Sequence, residues 1–253
     1  MGITLQKAGL WKRVAAWGLD LILLCTLAVG AQFALAKLLR YDDYNNTLQA
    51  AFDRYETQYG VALEISPEDY AALDETEKAA YDAAYADLNR DEEAMEAYNR
   101  LISVSLSTTT VGILLAVLVL EFVIPLLFGN GQTLGKKAMG LGLVRSDGVK
   151  VNTAQLLVRA LLGKFTVEIM IPVYLILMMF WGILDMTGTT VLGIFTLVQF
   201  ALLLFTRNNT PIHDLLSGTA VVELLGQKIF TSTEELIAYI KQLHAQQAAE
   251  KEY

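Results

Sequence analysis

Arg13-Val14-Ala15-Ala16-Trp17-Gly18-Leu19-Asp20 opens an apolar run that continues through Ile22, Leu23 and Leu24 to Leu39. A helix needs about 20 mostly apolar residues to cross a bilayer, and this run exceeds that. One acid, Asp20, interrupts it; Lys12 and Arg13 stand at its entrance, Lys37 and Arg40 at its exit. A charge inside such a segment costs about 2.5–3.5 kcal/mol near the centre, so it is expected to turn inward toward a partner. Arg13 and Asp20 share a helix face, yet at about 1.5 Å rise per residue they lie roughly 10 Å apart along the axis. Each is therefore expected to meet a group from elsewhere in the chain.

The composition extends this reading to the whole chain. It has 253 residues, is 54% hydrophobic, and carries a net charge of −8. That balance belongs to membrane proteins. The acidity is local: residues 41–100 contain sixteen acids and four bases, and the remainder is net basic. The single cysteine, Cys25, lies inside the first apolar run and reads as a packing residue, which excludes an intrachain disulfide or a cysteine metal cluster. Val29-Gly30-Ala31 resembles a signal cleavage site, but Asp20 breaks the apolar core and the run continues to Leu39, so the segment reads as a retained span.

In chain order, an acidic, Ala- and Tyr-rich segment follows. Ser66-Pro67-Glu68-Asp69 has the pattern of a helix start. A helical piece near Asn45–Tyr59, ended by Gly60, and a long helix from Ala71 to Arg100 are expected. Tyr55, Tyr59, Tyr70, Tyr81, Tyr85 and Tyr98 would form the seam between them. A second span covers about Ser107–Phe128, a third begins at Phe165, and a short fourth covers Val191–Phe205. Between the second and third, Met139–Val151 fits a small hairpin or a loop, and Thr153–Lys164 is amphipathic. Thr233-Glu234-Glu235 starts a final amphipathic helix.

The fold expected is all-α: a polytopic membrane protein with four transmembrane helices and a helical extracytoplasmic insertion. It divides into 1–40, the amino terminus and first span; 41–103, the acidic insertion; 104–225, spans two to four with a basic cytoplasmic loop at 129–164; and 226–253, the carboxyl-terminal helix. Lys and Arg near the spans place both termini and the middle loop in the cytoplasm of a multi-pass cell-membrane protein.

Three separated motifs stand out: Arg13 with Asp20; Gly131-Gln132-Thr133-Leu134-Gly135-Lys136-Lys137 with Arg159; and His213-Asp214-Leu215 with Gly218-Thr219-Ala220. Together they resemble the RDD family of small integral membrane proteins. By position the namesake residues are Arg13, Asp20 and Asp214, and Gly131, Gln132, Thr133, Gly135, Lys136 and Arg159 carry the middle motif. The long acidic loop and the last helix depart from the family's compact form. The resemblance allows a transport role such as cation/proton antiport.

A near-repeat stands beside it. Glu121-Phe122-Val123-Ile124-Pro125 ends the second span and Glu168-Ile169-Met170-Ile171-Pro172 opens the third. Each proline frees the carbonyl four residues back, which is the glutamate's own. Oxygen-only sites of this kind suit a hard monovalent cation or a proton; equally, the prolines kink helices while the glutamates reach Lys136, Lys137 or Lys164. Asp20, Glu121 and Glu168 are the candidate ion or proton sites, and Arg13, Asp214 and His213 a charge network that either carries protons or locks helices together. The chain lacks the spacing of a phosphate loop, zinc site, nucleophile triad or dinucleotide fingerprint. No enzyme activity, cofactor, metal centre or nucleic-acid role is expected. The partners expected are the lipid bilayer, a monovalent cation or proton, and further copies of the chain, because four helices barely enclose a pathway. The alternative is a membrane scaffold or assembly factor that binds partners through its acidic helices or its tail.

Overall fold

The computed structural model describes residues 5–6, 8–170, 190, 193–194, 197–198, 201–202 and 211–251. The expected third span from 171 onward, with Pro172, and most of the fourth span lie outside the described residues.

Two helical stretches among the described residues are long and apolar enough to cross a membrane: Leu10–Leu38 (α1) and Glu92–Phe128. Along α1 the buried residues are Ala16 and Asp20, one turn apart. Trp17, Ile22, Val29 and Phe33 are exposed. This inverts the pattern of a soluble helix, whose apolar stripe faces its core. A rod that points hydrocarbon outward and its carboxylate inward is suited to lipid.

The chain divides into two compact units, one formed by Val29–Gly112 and one by Met1–Ala28 with Ile113–Tyr253. In the first, α2 (Tyr41–Tyr59) ends at Gly60, whose φ of 68° needs the left-handed region. Ser66 caps α3 (Pro67–Ala72) by accepting from the Asp69 N–H, with Pro67 in the first turn as the sequence suggests. The long helix expected from Ala71 to Arg100 is instead interrupted twice. Asp74 forms a capping box with Glu77 at the start of α4 (Glu75–Leu88). Asp91 accepts from the N–H groups of Glu93 and Ala94 and starts α5 (Glu92–Leu118). Both aspartates compete for backbone donors that a continuous helix would have used. The core of this unit joins Ala51, Leu63, Ala84, Leu88 and Ala94 with Tyr55, Tyr59, Tyr81 and Tyr85. The Tyr81 ring packs at a tilt against both Tyr70 and Tyr85, with ring centres 4.9 Å apart in each pair. Tyr98 is exposed and takes no part in this seam.

In the other unit the second candidate span widens beyond α5. Val119–Val123 is a π turn, and α6 (Ile124–Phe128) follows with Pro125 in its first turn. The Ile124 N–H reaches back to the Val119 carbonyl, so the chain coils through Glu121 without a break. The loop beyond corrects the all-α expectation, because the mostly helical chain includes a small antiparallel sheet. Leu141–Arg145 (β1) pairs with Thr219–Glu223 (β2), Leu143 opposite Val221. Val144 also bridges to Lys150 around the Ser146-Asp147-Gly148 turn. Leu141, Leu143 and Val221 pack with Ala8, Ala16, Val151 and Leu156. The last helix, Thr233–Lys251, adds Leu236 to a smaller cluster with Val149 and Phe230.

Short helices position the polar groups. Leu134–Ala138 (α7) follows the glycine-rich turn, and Ile212–Ser217 (α9) precedes β2. The amphipathic piece consists of α8 (Thr153–Val158) and a second π segment, Arg159–Glu168. That segment ends where a continuous third span was expected, and Met170 takes a φ of 59°.

Candidate functional site: a buried charge network

Asp20 does not reach Arg13. Its Oδ1 accepts the Gly135 N–H at 2.7 Å and its Oδ2 accepts the Thr133 hydroxyl. Thr133 caps α7 by accepting from the Lys136 N–H. A Cβ at Gly135 would press on the Ala16 carbonyl oxygen and lie 2.9 Å from the Asp20 carboxyl carbon. The glycine is therefore what lets α7 dock on α1. Gly131 takes a φ of 61°, and a Cβ there would meet Leu143 at 2.8 Å. Gln132 donates to the Leu141 carbonyl at 2.6 Å, tying the turn to β1. Each of these motif residues thus has a structural task.

Lys136 carries the chain of contacts onward. Its Nζ lies 3.3 Å from Thr133 Oγ1 and 3.8 Å from Glu121 Oε2. Glu121 also receives Arg159 Nη1 at 2.6 Å, and Lys164 approaches at 3.7 Å. Arg159 turns its Nε to Asp214 Oδ1 at 3.0 Å, which the Thr219 hydroxyl also meets at 3.1 Å. The planar fork of arginine suits it to bridge two carboxylates in this way. Arg13 Nη2 lies 3.7 Å from Asp214 Oδ2. Lys164 Nζ contacts Glu168 at 2.8 Å, one turn along the same π segment. His213 sits beside it, Nδ1 2.5 Å from Glu168 Oε2 and Nε2 3.6 Å from Asp214 Oδ1. A Cβ at Gly163 would lie 2.5 Å from His213 Cβ, so that glycine admits α9 against the π segment.

The structure thus gathers Asp20, Glu121, Glu168 and Asp214 with Arg13, Lys136, Arg159, Lys164 and His213. Four acids face four bases, so the network is neutral when the imidazole is neutral. Among the described residues no cluster of His, Cys, Asp or Glu could hold a metal ion. Burying such a network is costly unless every member is paired, because lone buried charges cost several kcal/mol each. Burial pushes Asp214 up, yet Arg159, His213 and Arg13 outweigh it and hold its carboxyl at about 2. Burial pushes His213 below its ordinary 6.5, a shift that Glu168 opposes without reversing.

The sequence named Lys164 as one of three lysines the glutamates could reach, without placing it between both of them, and missed the parts of Ser217 and Thr219. Lys164 and Glu168 are four apart, a helical ion-pair spacing that could have marked the lysine. Ser217 and Thr219 carry no such pattern; they join the site because Ser217 ends α9, where the two hydroxyls bond each other at 2.8 Å.

Searches of curated proteins and of solved structures find no match. The family model headed RDD family matches residues 7–218, a stretch that includes every residue of the network. With that match and two lipid-suited helices, the chain is a membrane protein that belongs to the RDD family.

Proposed function

We propose that this RDD-family membrane protein is a small transporter of the cation/proton antiport kind. It works as a homo-oligomer, multi-pass in the cell membrane, with both termini cytoplasmic. The observation that carries this reading is Lys164, whose ammonium stands between Glu121 at 3.7 Å and Glu168 at 2.8 Å. A base shared by two carboxylates can be displaced from one while it stays with the other. Glu121 then takes the exchanged ion as its bases withdraw, and Glu168 and Asp20 carry protons. The cost of unpairing charge in a lipid-facing frame couples the two events.

The test is flux in proteoliposomes under an imposed proton gradient. The wild type moves a monovalent cation against protons, and Glu121→Gln abolishes flux while the protein still purifies folded, at a lowered melting midpoint. Absence of flux for sodium, potassium and lithium with folded wild type defeats the reading.

A second reading, a membrane scaffold, is favoured by the acidic unit, whose helices have their own tyrosine-lined core. It expects no flux, and loss of co-purifying partners on deletion of 45–99.

A further inference from the structure

We propose that His213 is a proton-binding site, its ring placed so that both nitrogens of an imidazolium would point at carboxylates. This deepens the transport reading by adding a proton site beside Glu168, one of its two proton-carrying acids, yet it stands on geometry alone. Nδ1 faces Glu168 Oε2 at 2.5 Å, and Nε2 faces Asp214 Oδ1 at 3.6 Å. Neutral imidazole has one N–H, so it serves one of the two; the charged ring serves both. Three buried polar atoms lack a hydrogen bond here: His213 Nδ1, Glu168 Oε2 and Asp214 Oδ2. Two of the three are the pair that the imidazolium would join.

The surrounding charges fix what the proton does. From the π segment, Arg159, Lys164 and Glu168 bear on the ring; from α9 itself, Asp214. Glu121 lies within electrostatic reach of it. With neutral His213 the network has four acids and four bases. A proton from water adds to the free ring nitrogen and breaks no bond in the protein. It makes the network net positive and gives Glu168 a second cation. Lys164 is then in excess at Glu168, while Glu121 remains 3.7 Å away to receive it. Protonation of His213 is thereby read out as a shift of Lys164 toward Glu121. A Cβ at Gly163 would lie 2.5 Å from His213 Cβ and 2.8 Å from its Cα, so this glycine is what lets α9 seat His213 against the π segment.

The chain has two histidines, His213 and His244. In a His244→Gln background, ¹⁵N signals of the imidazole report His213 alone. The experiment follows these signals from pH 8 to pH 4 in full-length protein in nanodiscs, with no transport required. The expected result is one titration below 6.5 that moves lower in Glu168→Gln by about one unit or more, a tenfold or greater loss of proton affinity. A ring that never titrates in this window, or one whose titration ignores Glu168→Gln, overturns the proposal. Should Glu168→Gln fail to fold, Asp214→Asn replaces it with the same expected direction. Absent flux with an intact titration would defeat the transport reading and leave the proton site standing.

Discussion

The Gly135 N–H and the Asp20 carboxylate meet at 2.7 Å across 115 positions of sequence. An acid inside an apolar helix is satisfied by a backbone donor and a threonine hydroxyl at the start of α7. Gly135→Ala should therefore destabilise the protein by about 1–3 kcal/mol, the usual cost of forcing an extra methyl into a packed contact. Thermal unfolding in nanodiscs measures it, and a midpoint equal to that of wild type would show that α7 does not dock in this way.

Arg159 joins Glu121 and Asp214, so its removal takes the nearest base from two buried carboxylates at once. Arg159→Met should cost about 3–5 kcal/mol, the range for leaving a buried charge unpaired. Arg159→Lys should be intermediate, since a single ammonium replaces the fork. Comparing the yield and melting of the two variants checks that order.

Acid should unfold the protein in two windows. Asp214 is held at about 2, against an ordinary 3.8, because Arg159, His213 and Arg13 outweigh its burial. The unfolded chain then binds this proton more readily than the folded one. Stability is full above pH 3.8 and is lost as pH falls toward 2. His213 is also held low, so its contribution is full above 6.5 and declines below it. His213→Gln should remove the upper window and Asp214→Asn the lower, as read from melting midpoints across pH.

In the acidic unit, Asp91 starts α5 and also binds Arg54 and the Tyr55 hydroxyl. Asp91→Ala should cost about 0.5–2 kcal/mol, the range for losing a cap. Asp74→Ala should cost a similar amount. Denaturant midpoints of the whole chain test both, and an unchanged midpoint for Asp91→Ala would contradict the capping role.

Local features of this fold were legible in the residues. Gly60 ends α2 and Ser66 caps α3 through neighbours within a turn or two, and the apolar run around Asp20 showed that it must turn from lipid, though not toward which partners. The pairing of Leu141–Arg145 with Thr219–Glu223 was not legible, since no short turn joins partners that far apart in sequence. The breaks at Asp74 and Asp91 were hidden by a stretch free of glycine and proline. Glu121 and Glu168 were readable as buried acids, but that Lys164 stands between them depends on two π segments whose register no periodicity shows.

Asp214 comes late in the chain, after Arg13, Glu121 and Arg159 have all left the ribosome. Until it is made, Glu121 and Arg159 can pair with each other, but the carboxylate that joins Arg159 to the first helix's Arg13 is missing. Closure of the cluster is consequently a final, post-insertion event. A truncation just before residue 213 should yield a chain that reaches the membrane and is then recognised as unfinished by quality-control proteases.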